Sequence, residues 1–222
     1  MDRKRMNLQK FLPLVMLALG AGAAFAGQGP VLWLTALLAA GLAFFGSDGR
    51  ASSYEASFPA SPIGAFGQFF MGGCLGATVL LCPPAMAGGM GTLWTALGWL
   101  GCAGALLAGF FRFQGKKPSF FLHLPLCLFL TIHIVSHYQQ WSSTPSLGQY
   151  LLPMLGAMSL MFFSYYHMAF SVGLGKRRPL LVSGLLSIYL SFAAIPGSGY
   201  PLLYLGGLVW GLTGLCRLGD KL

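Results

Sequence analysis

Acid is what this chain has least of. Asp2, Asp48, Glu55 and Asp220 are the only carboxylates in 222 residues, and all four fall outside the long apolar runs. No carboxylate is therefore available inside those runs for proton or sodium coupling, for an aspartyl dyad, or as a metal ligand. The five cysteines, Cys74, Cys82, Cys102, Cys127 and Cys216, form no CxxC pair and no metal-ligand spacing. They read as small apolar packing residues, not a disulfide framework. HExxH, Walker and GxSxG patterns are missing too. These absences disfavour most membrane enzymes and acid-based pumps, and no metal or cofactor site is expected.

What is present is apolar. Hydrophobic residues make up 56% of the chain and charged ones 8%. A soluble domain of this length could not hide so much apolar surface, so the chain reads as an integral membrane protein. Its net charge of +9 would suggest nucleic acid in a soluble chain. Here the basic residues sit in short clusters between apolar spans, which marks cytoplasmic loops and not a nucleic-acid surface. Their expected partner is anionic lipid headgroups at the cytoplasmic rim, worth about 1 kcal/mol per Lys or Arg.

The apolar runs define eight spans at approximately 11–27, 31–46, 63–82, 92–111, 119–138, 150–172, 180–195 and 200–216. They are bounded by turn residues such as Gly27–Pro30, Pro83-Pro84 and Pro196–Gly199. The first run also has the look of a secretory signal, with Ala24-Phe25-Ala26 as a small-x-small step. Because a second span follows at once, it is expected to be retained. With the N-terminus inside, all thirteen Lys and Arg fall on the cytoplasmic side or at its rim, and the external loops hold none. The expected fold is all-α: a polytopic transmembrane helix bundle of about eight spans, N-in and C-in. Residues 1–222 form one integral membrane domain, multi-pass, as in a bacterial cytoplasmic membrane.

Small residues four apart, at Gly72/Gly76, Gly101/Ala105/Gly109 and Gly207/Gly211, offer close-packing helix faces. All four histidines lie in one helical hairpin between Pro118 and Pro179. His123, His133 and His137 fall within an arc of roughly 80° at 100° per residue. Pro125 is expected to bend that helix near Phe121, and Arg112 to Pro118 reads as a basic loop. On the next span Ser164, His167 and Ser171 share a face; the one after carries Ser183, Ser187 and Ser191. His123 and His167 lie at similar depth, so they are expected to share a polar pocket with Tyr166, Ser164 and Ser183 or Ser187.

The function expected from this pattern is binding or transport of a small neutral or lipid-like molecule along a polar seam between spans five to seven. One alternative is a non-catalytic subunit that meets a membrane-protein partner, or a second copy, through the glycine faces. Another is a membrane-embedded enzyme using histidine and serine, with Ser198 and His137 at matched depth. Haem would require two histidines facing one cavity from different helices. The competing structural reading of the serines is that they bond back to their own helix and permit close packing.

Overall fold

The glycine- and proline-bounded apolar runs fold as helices, in which each interior backbone N–H and C=O finds its partner within the segment. The computed structural model describes residues 3–26, 30–46, 54–82, 84, 88–141 and 147–216. Side chains are described for 11–25, 34–44, 54, 57–82, 84, 88–138 and 150–215. Among the described residues there is no strand. Eight long helices, α1 (Arg3–Ala26), α2 (Pro30–Gly46), α4 (Pro62–Leu81), α5 (Gly89–Phe113), α6 (Leu124–Trp141), α7 (Leu147–Ser171), α8 (Arg177–Ala194) and α9 (Pro201–Cys216), overlie the eight apolar runs. A one-turn helix α3 (Tyr54–Ser57) and a 3-10 turn (Phe120–Leu122) complete the set. Expectations for the acids, for the basic residues of the two chain ends and for the outer loop 142–146 lie outside the described residues.

Local sequence explains the boundaries. Ser61 caps α4, its hydroxyl accepting from the Gly64 N–H at 3.3 Å, with Pro62 in the first helical position. α5 and α7 both end in a glycine with positive φ, Gly115 at 70° and Gly173 at 81°. In each case the next N–H reaches back five residues, Lys116 to the Phe111 carbonyl and Leu174 to the Ala169 carbonyl. Pro125 corrects the sequence expectation. It does not kink a continuous helix, because α6 begins only at Leu124 after the 3-10 turn. In that first turn a missing N–H costs nothing.

α4, α5, α6, α7, α8 and α9 pack in that order as a closed ring, with α9 returning to α4. α1 lies outside the ring against α8, and α2 packs on both α1 and α8. The glycine faces are consumed inside this ring. A Cβ on Gly72 would meet Leu106 at 3.0 Å, one on Gly101 would meet Leu75 at 3.1 Å, and one on Gly207 would run into Leu160. Leu126, Phe129, Leu130, Leu160 and Phe163 fill the interior, each no more than 2% exposed.

The outside is apolar as well. Phe25, Leu37, Leu80 and Leu81 are each at least 70% exposed, a surface that would aggregate in water. α4, α5 and the stretch Phe120–Tyr138 are long and apolar enough to cross a membrane. One end of the ring collects the basic loops 112–118 and 173–179 together with α3. The other carries the C-terminal ends of α4, α6 and α8 and the N-terminal ends of α5, α7 and α9.

Candidate functional site

The last turn of α5 positions the residue that the rest of the site surrounds. Gly115 stops α5 at Phe113 and so keeps Arg112 helical, not in a surface loop as the sequence suggested. Arg112 is 1% exposed. Its guanidinium lies across Gly64 of α4, where a Cβ would come within 2.6 Å of Cζ, so a side chain at that position would push the guanidinium aside. On the other side its Cζ sits 5.1 Å from the centre of the Phe58 ring, a cation–π contact. Nε, Nη1 and Nη2 all lack a hydrogen-bond partner.

Three further helices bring polar atoms to the same place. Gln68 of α4 directs its carboxamide nitrogen to His123 Nε2 at 3.5 Å. The donor and acceptor roles in this contact depend on the imidazole tautomer. His123 Nδ1 has no partner, and neither have Gln68 Oε1, His167 Nε2 and Trp210 Nε1. His123 and His167 stack with centroids 5.7 Å apart at 10°, and Trp210 of α9 lies 5.1 Å from His167. Phe163 meets His167 edge-on at 4.7 Å. Ser164 donates to the His123 carbonyl at 3.5 Å, fixing the turn that presents the imidazole. The parallel, closely stacked imidazoles leave no room for a porphyrin between them.

The segment from Tyr54 to Phe58 closes this centre at the basic end. Phe58 is 3% exposed and packs 4.7 Å from His167 and 5.4 Å from Phe170. Burial pushes the Tyr54 phenol up to about 12, partly offset by the nearby Arg112 charge. Tyr54 is therefore neutral at ordinary pH and cannot serve as the counter-ion. No carboxylate occurs among the described side chains. A buried polar atom without a partner costs about 1–3 kcal/mol, and an unpaired buried charge several kcal/mol. Donors outnumber acceptors at this centre: against three guanidinium nitrogens and the Trp210 indole stands one unpartnered oxygen, Gln68 Oε1.

The six residues singled out in the sequence divide three ways. His123, His167 and Ser164 belong to this centre. Tyr166 and Ser183 line a groove between α7 and α8 on the outer surface. Ser187 is fully buried, donates to the Gly184 carbonyl at 2.8 Å and lies against Gly211. Ser183 likewise donates within its own helix, to the Leu180 carbonyl at 3.1 Å. The expected seam between spans five to seven is thus replaced by a centre built from α4, α5, α6, α7 and α9, without the α8 serines.

His133 and His137 form a separate cluster toward the other end, with Trp94 and Tyr200. The Trp94 indole donates to His133 Nδ1 at 3.4 Å. Leu126, Phe129 and Leu130 lie between the two clusters along α6. Ser198 donates to the Ile195 carbonyl at 3.4 Å in its own turn. Among the described residues no group of three His, Cys, Asp or Glu side chains gathers to hold a metal. Arg112, Gln68, Tyr54, Phe58 and Trp210 were not singled out from the sequence. The available signals were Gly115, which marks the helix end, and Gln68, a long polar side chain in an otherwise apolar run.

No protein-family model, curated protein or solved structure matches the chain.

Proposed function

We propose that this is a multi-pass membrane protein that binds a small anionic molecule, carboxylate- or phosphate-bearing, at the Arg112 centre. Eight crossings with both termini cytoplasmic put every Lys and Arg on one side. The centre then lies just inside the cytoplasmic face, beneath Tyr54 and Phe58. One observation carries this reading: a guanidinium 1% exposed with three partnerless nitrogens inside an apolar bundle. Ionisable groups so placed are costly and mark ligand or ion sites. The neighbouring Trp210 indole N–H extends the donor set, and a planar guanidinium suits an oxyanion in bidentate fashion. The charge of Arg112 moves the expected ligand from neutral to anionic. A lipid-like molecule remains suitable if it carries such a group.

The other two readings have less behind them. Glycine faces that could recruit a partner helix are occupied by helices of the same chain, and the Ser198 hydroxyl is engaged in its own turn.

The test is ligand-dependent thermal stability of detergent-purified protein against a panel of small carboxylates and phosphates. A true ligand at about 100 times Kd stabilises by about 2.7 kcal/mol, and Arg112→Gln should abolish that gain. The reading fails if no anion shifts the wild type, or if Arg112→Gln responds as the wild type does. For a ligand found this way, uptake into vesicles then separates transport from binding.

A further inference from the structure

A second feature stands apart from the buried centre. Between α7 and α8 the outer surface opens into a groove of about 600 Å³, a volume in the range of small-molecule sites. Phe44, Leu155, Phe162, Leu186 and Leu190 form its apolar walls. Its two serines, Ser159 and Ser183, spend their hydroxyls on the Gly156 and Leu180 carbonyls, so the lining offers an occupant almost no polar contact. Phe44 and Phe162 are 52% and 49% exposed, so the groove opens sideways, toward lipid.

Its two ends differ. Arg178 and Pro179 stand at the basic end, and Leu190 lies twelve residues further along α8. At 1.5 Å per residue that is about 18 Å, slightly more than half of a hydrocarbon core of roughly 30 Å. The groove therefore runs from headgroup level to about the midplane, the depth of one leaflet. At its mouth Arg178 is held in place. Nη2 donates to the Phe44 carbonyl at 3.4 Å, and the guanidinium lies 4.3 Å above the Phe44 ring. Its Nε is buried without a partner. Across Pro179 and Tyr166, which line both hollows, a second depression of about 410 Å³ is bordered by Lys176. Arg178 thus stands at the top of the apolar slot, and Lys176 borders the adjoining depression.

We propose that this groove binds one anionic phospholipid, with an acyl chain between α7 and α8 and its phosphate on Arg178, beside Lys176. The site depends on the membrane placement but not on the Arg112 centre.

The test uses the full chain in detergent, given phosphatidylglycerol or phosphatidylcholine of identical acyl chains, with bound lipid read by native mass spectrometry. Wild type should retain phosphatidylglycerol preferentially. Arg178→Gln should lower that retention about five-fold, the equivalent of roughly 1 kcal/mol of charge attraction, and leave phosphatidylcholine unchanged. Val182→Trp, on the groove lining, should displace both lipids without touching a cation. Equal retention of the two lipids by wild type, or undiminished phosphatidylglycerol on Arg178→Gln, overturns the proposal. So does Val182→Trp with unchanged retention, or a crosslink between two copies through Phe162→Cys, which would make a second chain the occupant. Arg112→Gln should leave the lipid preference intact, so failure here is separable from failure at the buried centre.

Discussion

Replacing Arg112 by methionine should make the ligand-free protein more stable. Methionine is flexible, similar in reach and apolar, and it removes a charge that is 1% exposed and has no hydrogen-bond partner on any nitrogen. Exchanging buried ionic groups for apolar ones of similar volume is often neutral or stabilising, by about 1–4 kcal/mol. The opposing loss is the contact with the Phe58 ring at 5.1 Å, worth about 0.5–2 kcal/mol. The midpoints of those two ranges leave a net gain of about 1 kcal/mol. For a chain of this size that raises Tm by roughly 2–4 °C, at about 2–4 °C per kcal/mol. The assay is thermal unfolding of wild type and Arg112→Met in the same detergent, at one scan rate and without added anion. Partner removal from a satisfied buried pair would instead cost about 3–5 kcal/mol. A fall in Tm of that size would refute the reasoning, because it would mean that the guanidinium is a structural keystone already satisfied in the folded chain.

Other expectations follow from the same geometry. Ser187→Leu should destabilise by about 1–3 kcal/mol, because Ser187 is fully buried and its hydroxyl would lie 3.1 Å from a Cβ on Gly211; an unchanged Tm would mean a space there. Phe58→Ala should cost about 3–5 kcal/mol as a buried aromatic truncation and speed anion association at the Arg112 centre, checked by unfolding and stopped-flow binding; unaltered binding kinetics would show that ligand enters elsewhere. Tyr54, with its phenol raised to about 12 by burial, favours the fold in its neutral form. That stability is complete below about pH 10, the unfolded value, and is lost as pH rises toward 12. Tyr54→Phe should therefore flatten the loss over pH 10–12, seen as a converging difference in Tm between the two proteins; parallel curves would contradict it. Reporter fusions after Leu147 and after Gly175 should report opposite sides of the membrane, and the same side for both would sink the eight-span arrangement.

The helices were readable because each apolar run ends in residues with a mechanical meaning. Pro83-Pro84 follows α4, and Gly115 and Gly173 supply the left-handed turns after α5 and α7. The site was half readable. His123, His167 and Ser164 were found because ionisable and hydroxyl side chains are rare in such spans. Arg112 is hidden in the sequence because the first charge breaks the apolar run at residue 111, whereas the helix continues to Phe113, two residues before Gly115. The α8 serines were misplaced for a different reason. Their spacing gives a face but not the neighbour that meets it: Ser183 and Ser187 turn their hydroxyls back to their own carbonyls, Ser183 beside the outer groove and Ser187 against Gly211. Only the three-dimensional order of the ring could show that α4 and α9, far apart in sequence, both reach the histidines.

That closure of α9 on α4 sets the timetable of biogenesis. α4 carries Gln68 and α5 carries Arg112, yet Trp210 and the helix that seals the ring are made last. Synthesis from the end of α4 to the end of α9 takes roughly seven to thirty seconds at about 5–20 residues per second. For that interval the glutamine, and from the end of α5 the arginine too, must wait without their final surroundings. In a chain that crosses the membrane as proposed, these two side chains need somewhere wet or protein-lined until α9 arrives, so α4 and α5 would not be released singly into lipid.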